Sequence, residues 1–236
     1  MFDLLRELTL TLLAGLSLAG GAAAEAEVAE VVDAGPVKDR PARQSPQLKA
    51  VEFGECSRAV ERAQRQLVRL RYLPRNAASG CYDETTRHAV MALQKWEGLE
   101  RDGVLGPKTA RALQRAERPD PGSGAERRID VLLDKQLALV VDGGRLRYAI
   151  SISSGAPGHE TPPGTFAVYR KEEMSWSVPY ETWMPWASYF TGGVALHESP
   201  DVPGYPASHG CVRVPAAWAE WLYGFAGIGT EVNVRA

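Results

Sequence analysis

Ser208-His209-Gly210-Cys211-Val212-Arg213, with His197 eleven positions upstream of Ser208, is the stretch on which the reading of this chain turns. A thiol reacts as its thiolate, and at an ordinary pKa of about 8.5 most of it is protonated at neutral pH. Cationic or hydrogen-bonding neighbours favour the charged form, and a histidine within reach can take the proton. His209 and Arg213 stand within two residues of Cys211, and His197 closes an apolar run that begins at Gly193. Gly210 permits a close backbone approach, so its amide and that of Cys211 are candidates to face a developing oxyanion. The residues alone leave a blander reading open. A cysteine is often a small buried hydrophobe, and a histidine is often a satisfied core or surface group. A zinc site is disfavoured, because these Cys and His positions form no compact ligand set.

Working upstream, the period is two. Ile129, Val131 and Leu133 alternate, Leu137 to Val141 is a short apolar run, and Asp142-Gly143-Gly144 marks a turn into a strand over Leu146 to Ile152. Further strands are predicted at Gly164–Tyr169, Gly193–His197 and Glu231–Val234, with one clear helix at Ala216–Tyr223. Before Arg128 comes a Pro- and Gly-containing linker (117–127), and before that the period is helical. Val60, Ala63, Leu67 and Leu70 recur at three- and four-residue steps. Asp83 can cap a second helix that Gly98 stops, and Pro107 can open a third. The segment Gly80–Val90 echoes Gly103–Leu113, with Gly, Thr and Ala at matching places. The fold class is therefore multidomain, α then mainly β.

Three cysteines are an odd count, and the reading pairs Cys56 with Cys81 as a disulfide and leaves Cys211 free. Residues 25–55 are rich in Ala, Val, Glu and Pro without a sustained period and read as a flexible spacer. Residues 1–24 carry an apolar core, Leu8–Leu18, and the small-residue run Ala22-Ala23-Ala24. They read as a signal peptide, despite a weakly basic start. The 27 basic and 29 acidic side chains leave a formal net charge of −2. That balance supports no nucleic-acid partner and no membrane contact beyond the signal segment.

Two resemblances follow from these residues. The repeat, with Leu67, Leu70, Leu73, Asp83, Thr86, Ala89, Gln94, Gly98, Asp102-Gly103-Val104, Gly106 and Thr109, resembles the three-helix peptidoglycan-binding domain, here 56–116. Ser208–Arg213, preceded by a strand ending in His197, resembles the signature of the L,D-transpeptidase catalytic domain, here 128–236 and β-sandwich-like. Thr161-Pro-Pro-Gly-Thr-Phe166, Met184-Pro185-Trp186, Tyr189-Phe190, Gly192-Gly193, Trp218, Leu222 and Gly229-Thr230 extend that match. The resemblance implies that Cys211 attacks a stem-tetrapeptide carbonyl and expels terminal D-alanine, and that His197 is the base. The Glu198 carbonyl would orient the His197 ring, although the family commonly has Gly or Ser at that place. Ser208, His209 and Arg213 would shape and polarise the site, and Arg213 is a candidate for a substrate carboxylate.

No metal or organic cofactor is implied. The partners implied are peptidoglycan stem peptides and glycan, carbapenem sensitivity is a family expectation, and the place of action is the periplasm or the extracellular wall. The short span from His197 to Ser208 suggests an abbreviated lid, and His159 and His88 are expected to stand apart from the site. Hydrolysis by the same thiol, as a carboxypeptidase or endopeptidase, and a non-catalytic wall-binding role remain alternatives. Acceptor amine and oligomeric state are not legible.

Overall fold

A computed structural model describes residues 50–236. The expected signal peptide (1–24) and most of the expected spacer lie outside the described residues. Three helices come first: α1 (Arg58–Leu70), α2 (Glu84–Glu97) and α3 (Pro107–Arg115). Their ends follow local chemistry. Ser57 Oγ accepts the Val60 amide at 3.2 Å, and Asp83 Oδ1 accepts the Thr86 amide at 2.8 Å. Each such cap is worth about 1 kcal/mol. Gly98 ends α2 with φ of 67°, which favours a residue without Cβ. Cys56 and Cys81 are joined by a disulfide.

The spacer expected to reach residue 55 ends earlier. Val51 forms a β-bridge with Leu105, the Gly54 amide donates to the Tyr82 carbonyl, and the Tyr82 amide donates to that of Glu55, the last two both at 2.8 Å. Backbone pairing of this kind leaves no trace in composition. His88, expected to stand apart from the site, lies in α2. It is buried, and burial pushes its imidazole down to about 4.

The remainder is mainly β. Strands β1 (Arg128–Leu132), β2 (Leu137–Asp142), β3 (Arg145–Ser151) and β4 (Gly164–Ala167) are followed by β5 (Arg170–Ser177), β6 (Thr182–Thr191), β7 (Val194–Glu198) and β8 (Val212–Val214). Helix α4 (Ala216–Phe225) and strand β9 (Glu231–Arg235) close the chain. Two mixed sheets result, of order β3-β2-β1-β9-β4 and β5-β6-β7-β8. β1 with β9 and β7 with β8 are the parallel pairs. Between the sheets Ile129, Val131, Ala138, Val140, Val232 and Val234 meet Phe190, Leu196, Val212 and Val214, with Trp218 and Leu222 of α4 in the same core.

The Leu137–Val141 run now has a physical account. Ala138 and Val140 face that core, while Leu137 and Leu139 face a second core shared with Leu67, Leu70, Leu93 and Leu113 of the helices. A strand covered on both faces needs apolar side chains at every position, so alternation is lost. The helical region is thus packed on the outer face of β2 and β3, and the Ala149 amide donates to the Arg71 carbonyl at 2.9 Å. The linker is tied down as well. The buried Arg128 guanidinium donates to the carbonyls of Pro121, Gly122 and Ala125 at 2.9, 3.1 and 2.6 Å, and pairs with Asp130 at 2.9 Å.

The β5–β6 hairpin has no counterpart among the strands expected from sequence. Most of β5 is half-buried or exposed on both faces, so no period-two pattern marks it, and Pro185 interrupts β6.

Candidate functional site

Strands β7 and β8 bring the two reactive side chains together. Their register pairs Leu196 with Val212 and His197 with Arg213. One step back, Cys211 falls opposite Ala195, whose amide faces its sulfur. Paired residues of parallel strands share a face, and residues two apart on one strand share it too. Cys211, His197 and Arg213 therefore project to the same side. All three line one cleft of about 530 Å³, with Ser177, Tyr180, Trp183, Glu198, Ser199, Ser208 and His209 on its walls.

The His197 ring is oriented by its own strand. Nδ1 lies 2.6 Å from the Glu198 carbonyl oxygen. A carbonyl only accepts, so Nδ1 carries the proton and Nε2 of the neutral ring is left as the basic nitrogen. Burial lowers the His197 pKa below its usual 6.5, with the Glu198 carbonyl opposing and Arg213 reinforcing the shift. Burial also raises the Cys211 pKa above 9.0, against the opposing effects of the Ala195 amide and Arg213. The resting site thus favours thiol plus neutral imidazole over a thiolate–imidazolium pair.

The loop before β8 is held by hydroxyls. Ser208 Oγ donates to the Cys211 carbonyl and accepts the Gly210 amide, the latter at 3.1 Å. The Gly210 amide, a candidate to face an oxyanion, donates to Ser208 Oγ instead. Thr161 Oγ1 donates to the Gly210 carbonyl at 2.8 Å and accepts the Gly155 amide at 3.0 Å. In the sequence Thr161 stands out only as part of a strand entry. A Cβ on Gly155 would sit 1.9 Å from the His159 carbonyl and 2.7 Å from the Thr161 amide nitrogen. Gly155→Ala must therefore displace backbone under the loop. Overpacking of this kind costs about 3 kcal/mol, so Tm is expected to fall by about 6–12 °C, which differential scanning calorimetry would read. A Tm within about 2 °C of wild type would contradict the packing described.

Arg213 is paired rather than free. Its Nη1 donates to Asp201 Oδ2 at 2.8 Å and more weakly to the Asp201 carbonyl. Asp201 is largely exposed, and such pairs are worth only about 0–1 kcal/mol, so an incoming carboxylate can displace it.

The span from His197 to Ser208 forms only part of the cover. The rest comes from the β5–β6 hairpin, whose Tyr180, Thr182 and Trp183 line the cleft. His209 lines the cleft with its ring held by other rings. Its ring stacks on Tyr180 with centroids 4.3 Å apart and meets His159 edge-on at 5.1 Å. His159, expected to stand apart, does not line the cleft itself; it supports the wall residue His209 from behind. Among the aromatics, Tyr189 and Phe190 are core, while Trp183 remains exposed. Among the described residues no three His, Cys, Asp or Glu side chains gather as a metal-ligand set.

Comparison with known proteins bears on this geometry. Residues 126–234 match the L,D-transpeptidase catalytic domain, and residues 57–113 match a peptidoglycan-binding domain. The crystal structure of an L,D-transpeptidase fragment from Xylanimonas cellulosilytica is 39% identical, with a TM-score of 0.73 over 81% of this chain and 98% of that one. The chain belongs to the L,D-transpeptidase family. YciB of Bacillus subtilis, whose name places it in the same family, is 31% identical over 115 residues, 40% of this chain and 58% of its own length. The N-acetylmuramoyl-L-alanine amidase CwlL of Bacillus licheniformis is 35% identical over 77 residues, 31% of this L,D-transpeptidase and 21% of the amidase. The chain thus spans less than two thirds of the length of these curated relatives.

Proposed function

We propose that this L,D-transpeptidase is exported and forms peptidoglycan crosslinks, or attaches proteins to the wall, by acyl transfer through a Cys211 thioester. One observation carries the reading: the β7–β8 register sets Cys211 and His197 on one face of a single cleft, with Nδ1 of His197 held by the Glu198 carbonyl. In the first step Cys211 Sγ bonds to the carbonyl carbon that precedes the terminal D-alanine of a stem tetrapeptide. His197 Nε2 takes the thiol proton and passes it to the leaving nitrogen as the C–N bond breaks. In the second step an acceptor amine attacks the thioester. Its proton goes to His197 and then to the departing sulfur, which regenerates the thiol. Both shifted pKa values suit this cycle, because the base is neutral and the thiol protonated when substrate arrives. Arg213 takes the substrate carboxylate by exchange with Asp201, the Cys211 amide faces the developing oxyanion, and Ser208 and His209 shape and polarise the site. The helical region binds the wall polymer.

The test is mass spectrometry of the chain incubated with a disaccharide tetrapeptide, with and without a peptide acceptor amine. Crosslinked dimer supports the transferase. Tripeptide and free D-alanine alone would replace it with a carboxypeptidase that uses the same thiol. Absence of both products and of a thioester would sink the reading.

A further inference from the structure

Lys95 is an ionisable side chain with no place in the chemistry above, yet it is 1% exposed. It stands in the last turn of α2, within the helical region, and reaches into the β region. Its Nζ lies 3.0 Å from the Gln136 carbonyl, 2.8 Å from Ser151 Oγ and 2.7 Å from the Ile152 carbonyl. Burying an amine that can be charged is costly unless its donors are all used, and an apolar side chain would seal this junction with less loss. What the lysine adds is direction, since its partners are fixed backbone and hydroxyl oxygens.

Those partners lead to the thiol. Gln136 is wholly buried, in a left-handed conformation with φ of 57°. Its side-chain amide accepts the Ser154 amide at 2.8 Å and donates to Ser154 Oγ at 2.8 Å. The residues Ile152, Ser153 and Ser154 are consecutive. The Ser153 amide and carbonyl pair with Arg213 at 3.1 and 2.9 Å, and the Ser154 carbonyl takes the amides of Ala207 and Ser208 at 2.9 and 3.0 Å. Ser208 in turn bonds the Cys211 carbonyl. A second contact serves the same loop: Arg101, beyond α2, donates to the carbonyls of Asp134 at 2.9 Å and Gly204 at 3.4 Å. Gly204 has no room for a side chain there, with the Arg101 carbonyl 2.5 Å from where a Cβ would lie.

We infer that Lys95 is a positioning residue for the Cys211 loop, acting through Gln136 and the Ile152–Ser154 segment, so that the helical region is built into the acyl-transfer site. The inference rests on the reaction proposed above. It makes the helical region a buttress as well as a wall anchor.

The experiment compares wild type, Lys95→Met, Ser154→Ala and the double variant, all as the full chain. In molecules shown to be folded by circular dichroism, Lys95→Met is expected to lower kcat about tenfold with KM within twofold, and to leave binding to purified sacculi unchanged. Ser154→Ala is expected to cost about threefold. The double variant should fall about tenfold rather than thirtyfold, because both changes act on one network. Wild-type kcat in folded Lys95→Met, or fully multiplicative losses, overturns the inference. If Lys95→Met does not fold, Arg101→Ala takes its place, with an expected two- to fivefold loss of kcat at unchanged KM; an unchanged kcat overturns the inference. If wild type does not turn over the tetrapeptide, the proposed reaction fails by itself. Alkylation of Cys211 by iodoacetamide then decides the inference: at least a threefold change in rate in Lys95→Met supports it, and an equal rate overturns it.

Discussion

Cys211→Ala is expected to abolish both the thioester and the crosslinked product, with kcat falling by at least about a thousandfold. Loss of a covalent nucleophile leaves only the rate enhancement due to binding and the surrounding hydrogen-bond donors. The substitution removes one half-buried sulfur packed against Met184, Ala187, Tyr189 and Ala195, so the fold should survive and Tm change little. A carbapenem supplies a second readout. Its strained carbonyl should add once to the wild-type chain and not at all to the variant, as read by intact mass. Cys56 and Cys81 are joined to each other and offer no competing thiol. Residual crosslinking in Cys211→Ala, or a carbapenem adduct elsewhere, would remove Cys211 from the reaction.

His197→Gln should be nearly as damaging, lowering kcat by about a hundred- to ten-thousandfold, the usual share of a general base. Glutamine can still donate to the Glu198 carbonyl, so the strand and the fold are retained while the basic Nε2 is lost. The pH dependence follows from the direction of the two shifts. The active form of His197 is the neutral ring, and a lowered pKa means that this form persists to lower pH. The acid limb of kcat/KM should therefore have its midpoint below 6.5 and vanish in the variant. The Cys211 thiol is held above 9.0, so its alkylation by iodoacetamide should still be rising past pH 9. A rate already on its plateau at neutral pH would instead indicate a preformed thiolate, and the base mechanism would have to be abandoned.

Much of this fold is encoded locally. The caps of α1 and α2 and the Pro107 start of α3 are side-chain-to-backbone relations over one to three residues, so residue order alone is enough to place the helices. Strands β1, β3, β7 and β9 show themselves through apolar residues at alternate or successive positions. The β5–β6 hairpin does not, because periodicity reports burial and this hairpin stands half out of the core over the cleft. The same limit hides Tyr180, whose contribution is a stacking contact with His209, far along the chain.

Cys211 and His197 are legible as candidates from the residues themselves, and the match of the surrounding residues to a family sharpens them into a constellation with the Glu198 carbonyl. Their meeting is not, because it depends on the pairing of two strands separated by the loop of residues 199–211. The commitment of the Gly210 amide to Ser208 and the contact of His159 with His209 are decided at the same level. So is the docking of α2, with Lys95 driven among the carbonyls of the β region. Composition and spacing determine which segments can be helix or strand and which side chains can react. Which carbonyl a buried donor reaches is set by the packing of distant segments, where each unmade hydrogen bond costs about 1–3 kcal/mol, and only the folded chain carries that information.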